Sequence, residues 1–544
     1  MGSADLIDEL PQISLLETVE RAPGEDCDGL LKLLRDSGAG LQVPALAGML
    51  AVVRAVRTDR LDDAVGRYWE IEDSLDLDVS AALNRTLFYQ LSESGRLRDA
   101  NGFLRTWLDR RGEECAGTMV EIQMAAREVS VLAAYGAFEE ARSRVETYER
   151  RFAGREGRWV LHMAQANLEE ALGNRRQRIL QSEMALSGLI AEGGPARMQL
   201  DLQLSIAGAI ILCSDAEQWA RVPELLDRSK QLASEEEILG LQQKTEVLHA
   251  HLALFRGDFA VARKHFLQAK RDAERSGELS RAQFIEGGLA IVHKETGMSY
   301  AALQALEDFG KKYGGAEGLR NTLTSQDELA DVCILVGDLE RAAAIIEAGL
   351  PAAEETGRGF SIGIFRGLRG RLRHLLGDPA AAAPDLRAAV EQLQAAHALR
   401  DRNQYLLELI DADSMEDRDG ARVAAIIEHE EAVSERRLLP KAWLLESRRL
   451  RRAGAVRDAA LALQQAFEVA ATLENPEHRW PLHLEAAELA LEAGAVEAAR
   501  EDLERALDIL RDLSLQYPAG PLRERFLARP DRRLVLVRLR ALDV

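Results

Sequence analysis

A short signature recurs along this 544-residue chain at intervals of about 40 residues, and that interval restricts the fold more than any other feature. The signature is a Gly, an apolar residue two positions on and an Ala five positions on. It reads GRLRDA from Gly95, GAFEEA from Gly136, GDFAVA from Gly257, GDLERA from Gly337, GDPAAA from Gly377, GAVRDA from Gly454 and GAVEAA from Gly494. Weaker copies begin at Gly297 (GMSYAA) and Asp59 (DRLDDA), and Gly173 keeps the spacing. Self-similarity at such a period belongs to stacked supersecondary units, each too small to bury its own apolar face.

Each position of the signature has a physical reason. A Gly ends one helix in a left-handed conformation that other residues resist. An Asp directly after it is placed to cap the next helix. The apolar residue plugs the space between the two helices, and the Ala marks their closest crossing. A close crossing also needs a small residue on the first helix. Seven positions before the Gly stand Ala166, Ala250, Ala290, Ala330, Gly370, Ser447 and Ala487; Phe88 and Val129 break the rule in the N-terminal copies. Four positions after the Ala, an apolar residue returns: Tyr68, Leu104, Val145, Phe266, Leu306, Ile346, Leu386, Leu463 and Leu503. These side chains are expected to pack one hairpin on the next.

The signature and period resemble the tetratricopeptide repeat family over residues 45–515, with a longer repeat than that family's usual unit of about 34 residues. Long repeats of this kind are similar to those of large bacterial signalling and transcription regulators. The resemblance implies an all-α, right-handed superhelical solenoid of about twelve antiparallel helix hairpins. Residues 1–44, with Pro11, Pro23 and Pro44, are expected to form a cap or tether. Residues 516–544 form a capping segment, interrupted by Pro518, Pro521 and Pro530. This closing stretch resembles the one that ends tetratricopeptide regions of bacterial kinases and enhancer-binding regulators.

Composition agrees with closely packed helices. Aromatic residues make up 5% of the chain, and there are 14 prolines. The net charge of −21 repels nucleic acid at long range and argues against a duplex-binding role. Cys27, Cys115, Cys213 and Cys333 form no CxxC pair, which fits buried free thiols and a cytoplasmic setting. The acidic start MGSADLIDELPQ lacks a basic and an apolar stretch, so no signal peptide is expected, and the most apolar stretch, 205–213, is too short to span a bilayer.

The chain carries little that reads as catalysis. GFSIG, at Gly359–Gly363, matches a nucleophile elbow around Ser361 but lacks the strand that such an elbow requires. His249 and His251 stand two apart, on different helix faces, and His429-Glu430 has no second His at the spacing of a zinc protease. There is no phosphate-binding loop. No enzyme activity, cofactor or metal is expected.

In the repeat family the first helix of each hairpin lines a concave groove. Residues six and ten before the Gly are then the groove candidates: Arg85 and Tyr89, Asn167, His251, Asp327 and Asp331, Arg371, and Arg448. Two Arg clusters, Arg366–Arg373 and Arg448–Arg452, give the C-terminal third a cationic stretch suited to an acidic peptide or phosphate. The Lys and Asn set that holds chaperone tails in some family members is not found. The resemblance implies a non-enzymatic scaffold or regulatory sensor that holds a protein or peptide partner. The alternative is the regulatory region of a bacterial kinase or transcription regulator, separated from its effector domain. A homo-oligomer is compatible with either.

Overall fold

The computed structural model describes residues 60–93, 96–235, 239–276, 279–313 and 319–542. Every secondary-structure element there is helical. The α-helices are α1 (Leu61–Ile71), α2 (Leu77–Glu93), α3 (Leu97–Cys115), α4 (Met119–Ala134), α5 (Phe138–Arg151), α6 (Trp159–Leu172), α7 (Arg175–Ala191), α8 (Ala196–Cys213) and α9 (Arg221–Glu235). They continue as α10 (Leu239–Arg256), α11 (Phe259–Ser276), α12 (Leu279–Glu295), α13 (Ser299–Tyr313), α14 (Leu319–Val336), α15 (Leu339–Glu355), α16 (Gly359–Leu375) and α17 (Pro379–Ala395). The last are α18 (Leu399–Ala412), α19 (Ala421–Ala432), α20 (Leu439–Arg452), α21 (Val456–Thr472), α22 (Trp480–Glu492), α23 (Val496–Ser514), α24 (Pro521–Ala528) and α25 (Pro530–Ala541).

From α2 to α23 the helices pair as hairpins, each an A helix followed by a B helix. The expected solenoid is therefore present. α1 contains the signature's Leu61 and Ala64 and stands in the place of a B helix; Asp59 and the residues before it lie outside the described residues. Gly95 and the side chain of Tyr89 also lie outside them.

The signature behaves as its chemistry requires. Gly257, Gly297, Gly337, Gly377, Gly454 and Gly494 all have φ between +74° and +88°. Each closes a two-bond helix terminus. At Gly337, its N–H donates to Ile334 O at 3.2 Å and Asp338 N–H to Cys333 O at 2.9 Å. The signature Ala residues 64, 100, 141, 262, 302, 342, 382, 459 and 499 have no exposed surface. Gly370 of α16 lies so close to α17 that a Cβ would stand 2.6 Å from Leu386 and 3.1 Å from Ala382 O. Ser447 Oγ, one of the other small positions, donates to Ala459 O at 2.9 Å.

The capping role expected of Asp is only partly observed. Asp378 accepts from Ala381 N–H at 3.0 Å and caps α17. Asp338 makes no cap and instead binds Arg525 at 3.0 Å, while Asp258 binds Arg436 at 2.5 Å. Both carboxylates pair with cations far along the sequence, whereas Asp378 forms no ion pair among the described residues.

The chain divides into two compact units. The first comprises Met1–Ala171, Gln177–Leu202 and Gly315–Arg320; the second comprises Leu172–Arg176, Gln203–Gly314 and Asn321–Val544. In the first, Tyr68, Trp107, Leu83, Leu87 and Leu104 form the main core. At its polar edge the fully buried Glu72 accepts from Ser80 Oγ at 3.0 Å and Arg111 Nε at 2.6 Å. In the second unit the array coils back on itself. Residues in or bordering the A-to-B turns bond to residues far along the sequence: Arg175 to Asp401, Ser214 to Glu435, Asp258 to Arg436, Ser299 to Tyr517 and Asp338 to Arg525. A simple open stack would show contacts between neighbouring hairpins alone.

The apolar stretch at 205–213 proves to be the second half of α8. The whole helix is 18 residues long and is the one described helix long and apolar enough to cross a membrane; 56% of its residues are buried inside the protein.

Candidate functional site

Each unit has its own groove lined by A helices. In the second unit, α12, α14, α16, α18, α20 and α22 surround a cavity of about 480 Å³, with Asp531 and Leu534 of α25 at its wall. Asp331, Arg371 and Arg448 are among its lining residues. Their charges are mutually matched. Asp331 binds Lys294 at 3.1 Å and also pairs with Arg371. Arg371 approaches Glu408 at 3.6 Å, and Lys441 binds Glu408 at 2.9 Å and Asp411 at 3.5 Å. Arg448 continues the series to Asp411 at 2.8 Å and Glu485 at 3.5 Å. Burial alone would raise the carboxyl of Asp411, but Arg448 and Lys441 outweigh it and hold the group at about 2. The same competition, with Lys294 and Arg371 as the cations, leaves Asp331 below the usual carboxylate range.

The Arg clusters read from the sequence are therefore largely committed within the fold. Arg369 and Arg373 both bind Asp385, at 2.5 and 2.6 Å, and Arg451 binds Glu485 and Glu492, each at 2.6 Å. Arg366 pairs with Glu354 at 3.0 Å and Arg449 with Glu446 at 2.6 Å. His251 and Asp327 are buried. The His251 ring packs edge-on to Phe266, and burial lowers its pKa to about 4. Burial, then the neighbouring Glu328, push the Asp327 carboxyl well above its usual value. Ser361, at the centre of the elbow-like motif, is buried in the first turn of α16, which follows another helix.

The first unit differs in its electrostatics. Arg85 of α2, Arg127 and Ser130 of α4, and Met163 and Asn167 of α6 line a cavity of about 270 Å³, together with Gln123, Ala126, Trp159, Val160, Ala164 and Met198. Among the described residues no carboxylate contributes to this lining. Asn167 Nδ2 donates to Ser130 Oγ at 3.3 Å. Arg127 Nη1 contacts the Met124 sulfur at 3.0 Å, and neither Arg127 nor Arg85 forms an ion pair among the described residues. Burial, and then the charge of Arg85, lower the Arg127 pKa to about 10. The half-buried Arg127 and the exposed Arg85 thus share a cavity whose other described lining residues are uncharged, in a chain whose net charge is −21.

The rule of six and ten positions before the Gly selects Arg85, Met163 and Asn167, and for Gly136 it selects Ser130 and Ala126. It passes over Arg127, nine before Gly136, which also lies on the inner face of α4. One helical turn of tolerance in that rule would have included it.

No family model matches this chain, and no curated protein matches it. Among solved structures, the fold is similar to a Rap protein complexed with competence and sporulation factor (12% identity, TM-score 0.44), covering 62% of this chain and 98% of that one. It is similar also to the Cut9–Hcn1 hetero-tetramer of the APC/C (13% identity, TM-score 0.45), covering 97% of this chain and 98% of that one. Yeast Tom70 (15% identity, TM-score 0.30) matches over 91% of this chain and 96% of its own length.

Proposed function

We propose that this chain is a non-enzymatic interaction scaffold and that the groove of its first unit holds an acidic segment of a partner protein. One observation carries the reading: Arg85 and Arg127 stand together without carboxylate partners in a cavity walled by Gln123, Ser130, Asn167 and apolar side chains. Arg127 is partly desolvated beside the like charge of Arg85, which raises the energy of the empty groove, and a carboxylate from outside would relieve that cost. Guanidinium groups offer planar, paired donors for such a carboxylate. Trp159, Val160, Met163 and Met198 provide apolar surface for the side chains beside it. The second groove, with its cations already paired internally, offers an acidic ligand less.

Selection from a peptide display library tests this directly. Peptides retained by the full chain are expected to be enriched in Asp and Glu. Their affinity should fall roughly tenfold or more in Arg127→Gln, in line with the loss of one charge-assisted contact of at least about 1.4 kcal/mol, and should weaken with salt. Selection of basic or wholly apolar peptides, or unchanged affinity in the Arg85→Gln/Arg127→Gln double variant, would overturn the reading. An Arg371→Glu/Arg448→Glu variant separates the two grooves, since it leaves the first unit unaltered.

A further inference from the structure

Within the second unit, Cys213, Asp215 and His397 come together from opposite sides of a turn-to-loop contact. Cys213 ends α8, Asp215 follows in the turn, and His397 lies in the loop between α17 and α18. One ligand atom from each lies within 4.8 Å of the others. His397 Nε2 is 3.1 Å from Asp215 Oδ2, and Gln218 Nε2 donates to the same oxygen at 3.3 Å. Cys213 and Asp215 are buried, while His397 keeps 21% of its side chain exposed. The cluster is thus enclosed but reachable from solvent.

The backbone supplies a second, independent observation. Ser214 and His397 have φ of +52° and +54°, two of only three non-Gly residues with positive φ among those described. The repeat places Gly at the corresponding positions: Gly173 and Gly257 flank Ser214 by one repeat, and Gly357 precedes His397 by 40 residues. His397 thus holds its imidazole at a backbone position where Gly is the unstrained choice, a cost that Ser434 bears as well.

We infer that Cys213, Asp215 and His397 form a binding site for a divalent transition metal, with Zn²⁺ the best match. Thiolate, imidazole and carboxylate are the usual zinc donors, and three protein ligands leave a fourth position for water. Zinc–ligand bonds of about 2.0–2.3 Å require the three donors to draw together by roughly 1 Å. Binding displaces the thiol proton: Cys–SH and M²⁺ give the metal thiolate and H⁺. Arg175, whose charge acts on Cys213, is already paired with Asp401 at 3.1 Å. The bound ion would tie the turn after α8 to the loop before α18, distant in sequence, and so would act on the stability of the second unit independently of the first unit's groove.

Cobalt substitution on the full chain tests the site. After chelation, one equivalent of Co²⁺ is expected to produce a sulfur-to-metal charge-transfer band in the near ultraviolet and intense tetrahedral bands in the visible. Zn²⁺ should displace it at one ion per chain and raise the thermal midpoint above that of the chelated protein. Cys213→Ser should remove the charge-transfer band. His397→Gly should abolish the zinc-dependent rise while relaxing the backbone, so that the metal-free variant melts no lower than the metal-free parent. Equal midpoints for chelated and zinc-loaded protein with only the spectrum of hydrated Co²⁺ would overturn the proposal. So would an unaltered charge-transfer band in Cys213→Ser.

Discussion

At the scale of single residues, the turn glycines have two separate duties. Those among the described residues adopt positive φ, but they differ in what surrounds them. A Cβ on Gly337 would stand 2.4 Å from Arg525 O, and one on Gly257 would stand 2.6 Å from Leu473 Cδ2, whereas Gly377, Gly454 and Gly494 have nothing within 4 Å. Gly377→Ala should therefore lose only the left-handed preference, about 1 kcal/mol, and Gly337→Ala should lose distinctly more because backbone must move. The difference appears as a larger drop in urea midpoint for Gly337→Ala; equal drops would refute it. His251 gives a pH-dependent counterpart. Its folded pKa of about 4 lies below its ordinary value, so the unfolded state binds the proton first as pH falls. Stability from this residue is complete above the unfolded pKa near 6.5 and declines as pH drops toward 4. At pH 5 the decline amounts to about 2 kcal/mol relative to pH 7. His251→Leu should remove that part of the slope, as read from denaturant midpoints at the two pH values.

At the scale of elements, the hairpin was legible because its determinants are local. The turn Gly, the signature Ala and the small residue seven before the Gly lie within about a dozen positions, and each reports one close contact. Gly370 shows how tight that contact is. Gly370→Ala would place a methyl group against Leu386 and Ala382 O, and overpacking of this kind costs about 1–3 kcal/mol. Its thermal midpoint should fall, although Ala favours helix over Gly at an exposed site by about 1 kcal/mol. Arg369→Ala, nearer the surface on the same helix, should change the midpoint far less. The groove was legible only in part. Counting from the Gly located Asp331, Arg371, Arg448 and Asn167 on inner faces, but a single sequence does not show which cations meet carboxylates from the neighbouring A helix. Arg371 and Arg448 looked available because their partners, Asp331 and Asp411, lie about 40 residues away and reach them only after stacking.

At the scale of the molecule, the coiling of the second unit had no sequence signal of its own. It follows from the sum of small rotations between successive hairpins, and no single residue sets that sum. Its traces are visible in retrospect: Asp258 and Asp338 are turn residues that pair with cations far along the sequence, and His397 holds a conformation usually left to Gly. A linear repeat array transmits a perturbation through neighbouring hairpins alone. Here Arg436, between α19 and α20, donates to Arg256 O at 2.6 Å and to Asp258 at 2.5 Å, 180 and 178 residues upstream. Arg436→Glu should therefore speed amide hydrogen exchange in the turn between α10 and α11 as well as at its own position, while the intervening hairpin α14–α15 keeps its protection. Hydrogen-exchange mass spectrometry resolves these segments. Exchange that spreads only to the hairpins adjoining Arg436 would show that contacts between successive coils contribute little to the stability of the unit.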